Sequence, residues 1–253
     1  MQRTIGLIGG MSWESTVVYY KEINEEVRRR HGQLRSADMV LRSVDFEPIV
    51  ALQKADRWDD AAKYLSRIAV ELTHAGAECI LICTNTMHLV ADAVAERIDV
   101  PLIHIVDETG WALQAANARK PLLLATRYTM EQGFYRDRLR RNFGIEAIVP
   151  DERGRTTVHD TIFEELCCGV ISETSRQAYL EVIEQGRAQG ADSVILGCTE
   201  IGLLIGPADT DLPVIDSTKV HALAAVDFAD GVSSDPEAGE ARRDARLDAV
   251  AAS

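Results

Sequence analysis

The side chains best suited to moving protons stand at matched points of a segment written twice. Gly76-Ala77-Glu78-Cys79-Ile80-Leu81-Ile82-Cys83 runs into Thr84-Asn85-Thr86, and Gly190-Ala191-Asp192-Ser193-Val194-Ile195-Leu196-Gly197 runs into Cys198-Thr199-Glu200. Aligned without a gap from the Gly-Ala pair, Thr84 falls opposite Cys198. Each copy reads as a buried parallel strand ended by small hydroxyl, thiol and amide side chains. Val100-Pro101-Leu102-Ile103 and Leu212-Pro213-Val214-Ile215 then supply a further short apolar run in each half. Two related halves, each offering a protic group at a strand end, suit proton transfer on opposite faces of one small substrate.

Cys198 stands where a strand gives way to a turn or helix. A helix N-terminus lowers a thiol's pKa and makes it a competent base or nucleophile. An isolated cysteine there would read as a small core residue, but both copies end in protic groups at the same point. Cys83 lies one residue before the position equivalent to Cys198. Strand alternation turns neighbours to opposite faces, which nominates Thr84 as the partner and leaves Cys83 for packing. A bend at the strand end would re-aim either one. Cys79, Cys167 and Cys168 read as packing residues on apolar faces, and His88 as a capping or supporting histidine.

Gly9 and Gly10 follow the first strand, just before an N-cap at Ser12. Such a turn lets backbone N–H groups approach an anion and helps to shape a small-molecule cleft. The dinucleotide fingerprint lacks its third glycine, and Asp45 is too far along to serve as its acidic residue. No P-loop, paired His-Glu zinc motif or Cys-x-x-Cys occurs in the sequence.

Three segments, Gly6-Leu7-Ile8-Gly9-Gly10-Met11-Ser12, Cys83-Thr84-Asn85-Thr86-Met87-His88 and Leu196-Gly197-Cys198-Thr199-Glu200-Ile201, resemble the signatures of the cofactor-independent aspartate/glutamate racemases. The resemblance runs in order and spacing to about Phe228. It implies two pseudo-symmetric α/β lobes with the substrate in a cleft between them, a homodimer, and no cofactor or metal. In that family both protic positions are normally cysteine, one removing the α-proton and the other delivering a proton to the opposite face. Here the pair is Thr84 and Cys198, which places the chain with a threonine–cysteine branch. By the same resemblance Met11, Gln53, Asn85, Thr86, Thr199 and Glu200 fall at substrate-contact positions, with Met11 and Gln53 expected on loops.

A thiolate is a reasonable base and an alkoxide is not. An alcohol pKa about five units above a thiol's makes ionisation dearer by on the order of 7 kcal/mol. Abstraction is therefore expected to favour the Cys198 face. The expected activity is racemisation of aspartate, glutamate or both without pyridoxal phosphate. The alternatives are a cofactor-free decarboxylase or cis–trans isomerase of the same superfamily, and a protein that binds an acidic amino acid without turning it over.

The elements that must position these groups read as alternating strands and helices, an α/β class with mainly parallel sheets flanked by helices. Strands are expected at 4–8, 39–44, 79–83, 102–105, 122–125, 147–149, 194–196 and 214–215. Ala61, Ala62, Leu65, Ile68, Ala69 and Leu72 recur at helical spacing, as do Tyr179, Val182 and Ile183. The pattern restarts near Lys120, dividing the chain into a lobe of 1–108 with about 217–230 and a lobe of 109–216. Residues 231–253, rich in Ser, Asp, Pro, Glu and Gly, read as a flexible tail without catalytic content.

The composition is that of a globular protein, 253 residues with 46% apolar and 26% charged. A net charge of −13 argues against non-specific binding to nucleic acid or a membrane surface. The start of the chain lacks a signal-peptide pattern, no apolar run reaches membrane-spanning length, and the five cysteines form no paired set. A cytoplasmic protein acting on a small molecule is expected.

Overall fold

The computed structural model describes residues 2–32 and 34–232. They form an α/β fold in two compact units, one of residues 2–104 with 221–232 and the other of residues 105–220. Of the tail expected from residue 231, Gly231 and Val232 are described and the remainder lies outside the described residues.

In the first unit, β1 (Ile5–Gly9), α1 (Trp13–His31), β2 (Met39–Ser43), α2 (Phe46–Lys54), α3 (Trp58–His74), β3 (Cys79–Ile82) and α4 (Ala91–Ala95) follow in order. The strands pair in parallel in the order β2-β1-β3. Alternation divides the sheet cleanly. Ile8, Ile80 and Ile82 pack with Ile49 of α2 and with Ala61, Leu65, Ile68 and Leu72 of α3. Ile5, Leu7, Cys79, Leu81 and Cys83 pack on the other side with Tyr19, Ile23 and Val27 of α1. Asp45, whose place in the sequence argued against a ribose ligand, caps α2 by accepting from the Glu47 N–H.

The second unit runs α5 (Ile105–Ala115), β4 (Pro121–Ala125), α6 (Arg127–Glu131), α7 (Phe134–Phe143), α8 (Glu152–Asp160), α9 (Glu173–Ala188), β5 (Ser193–Gly197) and β6 (Val214–Asp216). Its parallel sheet has the order β4-β5-β6. The final helix, α10 (Ser217–Ala229), brings Ala222, Ala225, Val226 and Ala229 into the apolar cluster around α1 of the first unit.

The duplicated segment is duplicated in structure. α3 and α9 each end just before a glycine at positive φ, Gly76 at 99° and Gly190 at 89°, a conformation that only glycine adopts freely. The next amide closes the turn the same way in both copies: Ala77 N–H to Leu72 O and Ala191 N–H to Gly186 O, each 3.0 Å. The repeat strand then donates to a proline carbonyl in each half, Ile80 to Pro101 at 2.9 Å and Val194 to Pro213 at 2.8 Å.

Two expected strands are reduced to single bridges. Leu102 pairs only with Ile80, and Ile148 only with Leu122, both in parallel. Pro101 has no N–H to extend a ladder, and α5 begins at Ile105, so the first run has no room to lengthen.

Candidate active site

Met11, Gln53, Thr84, Asn85 and Thr86 belong to the first unit; Cys198, Thr199 and Glu200 belong to the second. In the first unit, Cys83 closes β3 with its N–H on the Ile8 carbonyl at 2.9 Å. Its side chain is wholly buried in the α1 cluster, and burial pushes its thiol far up from the ordinary range. Thr84, next in line, is half-buried, while Asn85 and Thr86 are buried at the start of a 3₁₀ turn, Thr86–Val90.

Gln53 is not on a loop, as the resemblance suggested, but in the last turn of α2, and only 4% exposed. Its Nε2 approaches the Met87 sulfur at 3.2 Å, which ties it to the turn that follows Thr84. Its Oε1 is buried with no hydrogen-bond partner among the described residues. Met11 is buried in the turn between β1 and α1 and packs in the same apolar cluster as Met87. That turn requires glycine at position 10, where φ is 89° and a Cβ would clash with the Val44 carbonyl. The Gly10 N–H is spent on the Thr16 hydroxyl at 2.7 Å, which holds the tight turn against the start of α1. Ser12 does cap α1, accepting from the Ser15 N–H at 3.2 Å.

In the second unit, Cys198 ends β5 and caps a five-residue 3₁₀ turn, Thr199–Leu203. Its thiol is half-buried and lies 3.0 Å from Oε2 of Glu200, to which it donates. Glu200, 3% exposed, accepts at its other oxygen from the Cys167 thiol at 3.6 Å. The expectation that Cys198 has a lowered pKa is overturned. Burial pushes the thiol well above its ordinary range, and the Glu200 carboxylate and Cys167 push the same way against the Glu200 backbone N–H. So short a 3₁₀ turn carries too little dipole to offset a carboxylate in contact with the sulfur.

Cys167 packs against the core of the second unit, as expected of it, and its thiol in addition reaches Glu200. It lies in the 3₁₀ turn Leu166–Cys168, which follows a π-helical turn, Thr161–Glu165. Glu165 accepts from the Ser175 hydroxyl at 2.6 Å, and Tyr179 donates to the Val158 carbonyl at 3.0 Å. The Tyr179 phenol is held well above its usual range by burial first and then by Cys198, Glu165, Glu200 and Cys167. No sequence signal links Cys167 to Glu200, because two irregular turns 33 residues apart make the contact. Cys168, also expected to pack, is exposed.

Chemically, the second unit offers a thiol whose proton has an adjacent carboxylate to go to. The first offers a half-buried hydroxyl beside buried amide and hydroxyl groups. Among the described residues, no group of three or more His, Cys, Asp or Glu side chains is placed to hold a metal, and no helix is long and apolar enough to cross a membrane.

Residues 8–225 match the family described as Asp/Glu/hydantoin racemase. The chain is 24% identical to the broad-specificity amino-acid racemase RacX of Bacillus subtilis over 232 residues, covering 88% of this chain and 96% of RacX. A crystal structure of a candidate Asp/Glu racemase from Yersinia pestis is 52% identical with a TM-score of 0.84, covering 90% of this chain and 99% of that one. An aspartate racemase homologue from Pyrococcus horikoshii OT3 is 34% identical with a TM-score of 0.80, covering 91% and 100%.

Proposed function

The chain belongs to the Asp/Glu/hydantoin racemase family, and from that premise we propose that it racemises an acidic amino acid without pyridoxal phosphate, with Cys198 as base and Thr84 as acid. The observation that carries this reading is the Cys198 thiol set 3.0 Å from the Glu200 carboxylate. Glu200 takes the thiol proton, the thiolate removes the α-proton, and the Thr84 hydroxyl protonates the resulting carbanion on its other face. The carbanion is a stronger base than an alkoxide, so Thr84 can donate; the proton held on Glu200 then returns by way of solvent to the Thr84 alkoxide, and both groups end the turnover as they began it. Asn85, Thr86 and Thr199 supply donors around the substrate, and the unpaired Oε1 of Gln53 suits its ammonium group. Met11 walls that side. Glu200 acts on Cys198 rather than on the substrate alone.

The same resemblance implies a homodimer. Trp13, Val17 and Tyr20, spaced along one face of α1 and each more than half exposed, support it.

Proton NMR of α-deuteration in deuterated water, with each enantiomer of aspartate and glutamate separately, tests the reading. Mirror-image substrates have an equilibrium constant of one, so kcat/KM for inversion is the same in both directions. The asymmetry lies elsewhere: one hand exchanges with retention at Cys198, whereas the other exchanges only by inverting. Cys198→Ala is expected to abolish exchange of both hands. Persistence of about a tenth or more of wild-type exchange in that variant, or release of carbon dioxide in place of exchange, sinks the proposal.

A further inference from the structure

His88 has no step in the chemistry above, yet it is buried directly against the backbone of the residue assigned as the acid. Its Nδ1 lies 2.8 Å from the carbonyl oxygen of Thr84. A carbonyl only accepts, so Nδ1 carries the proton and donates it. In an α-helix the backbone N–H of residue 88 would reach that carbonyl. The turn is 3₁₀, and that N–H goes to Asn85 O at 3.0 Å instead. The side chain thus makes the bond to Thr84 that the backbone of the same residue gives up.

The ring is itself held in place. His104 meets it edge-on with centroids 4.8 Å apart, and His221 of α10 does so at 5.5 Å. His221 is fixed at both nitrogens, donating from Nε2 to the Ile103 carbonyl at 2.8 Å and accepting at Nδ1 from the Tyr19 hydroxyl at 2.7 Å. A buried ring packed against two others has few ways to turn, so the direction of its N–H is set by the fold.

We propose that His88 is a positioning residue for proton transfer at Thr84: its Nδ1–H fixes the Thr84 carbonyl, and with it the direction of the Thr84 hydroxyl. The inference rests on Thr84 being the acid. Without the donor, the carbonyl must find a neighbouring N–H, and the Thr84–Asn85 peptide turns to reach it.

The test measures inversion and exchange with retention side by side in His88→Leu, His88→Asn, His88→Gln and Thr84→Ala. Asparagine carries its N–H on Cγ, where the imidazole carries Nδ1, whereas glutamine carries it one bond further out. His88→Leu is expected to lose about 10²-fold in inversion, the scale of a 1 Å misplacement, while retaining exchange at Cys198. His88→Asn is expected to recover inversion and His88→Gln is not. Undiminished inversion in His88→Leu overturns the proposal, as does an equal loss of both processes or an Asn variant no better than Gln. If His88→Leu does not fold, the Asn–Gln comparison decides alone. Thr84→Ala separates the two claims. Intact inversion there removes Thr84 as the acid, whereas its loss alongside a fully active His88→Leu removes only His88.

Discussion

At the scale of single residues, the environment of Cys198 governs what the site can do. A thiol pressed against a carboxylate is a poor nucleophile at rest, and the same carboxylate is the acceptor that lets it ionise when the α-proton must move. Glu200→Gln separates the two effects. It keeps the shape and removes the negative charge that, after burial, disfavours the thiolate, so the Cys198 pKa falls. Iodoacetamide labelling of the Cys198 peptide, followed against pH, should show its inflection at lower pH in the variant. Exchange of the substrate α-proton should slow, because the thiol proton has lost its acceptor. An unmoved or raised inflection would mean that Glu200 does not control the thiol. None of this was legible in the sequence. The repeat gave the strand ends on which Thr84 and Cys198 stand, but a side chain two residues on, folded back by a 3₁₀ turn, leaves no mark in spacing.

At the scale of elements, the strands and helices were legible where periodicity ran long. The α3 stripe of Ala61, Leu65, Ile68, Ala69 and Leu72 is the face buried in the structure. The runs at Leu102 and Ile148 looked like strands of equal standing, but a flanking proline and an early helix hold the first to one bridge. That α10 belongs with the first lobe was an expectation of the sequence, but the histidine it buries there was not legible. Burial, and after it His88, push His221 down from 6.5 to about 3, so folding keeps it neutral. The groups facing it are Tyr19 from α1, the His88 ring and the Ile103 carbonyl. The unfolded chain binds a proton below about 6.5 that the folded chain refuses until about 3. Stability from this group is therefore complete above 6.5 and lost as pH falls towards 3, at about 1.4 kcal/mol per pH unit. Urea unfolding at pH 7 and pH 5 should show the wild type losing about 2 kcal/mol more than His221→Asn, which has no such proton to refuse. Parallel losses would show that His221 titrates normally in the folded protein.

At the scale of the whole molecule, a net charge of −13 and an apolar stripe on α1 act against each other in self-association. Two copies carrying the same sign repel over about 30 Å in 0.01 M salt and over about 8 Å in 0.15 M. Burying Trp13, Val17 and Tyr20, which are 64%, 55% and 56% exposed, is driven by their removal from water and is much less sensitive to salt at these concentrations. If this face joins two copies, the dimer tightens as salt is added, the reverse of an interface held by ion pairs. Sedimentation velocity across that salt range should show the dimer fraction rising with ionic strength at fixed protein concentration. Val17→Glu places a further negative charge in the middle of the stripe and should leave a monomer at both salts. Because Val17 is exposed, the substitution makes no core cavity, and thermal unfolding of the monomer should remain cooperative. A dimer that weakens with salt, or that survives Val17→Glu, would place the contact on another face of the molecule.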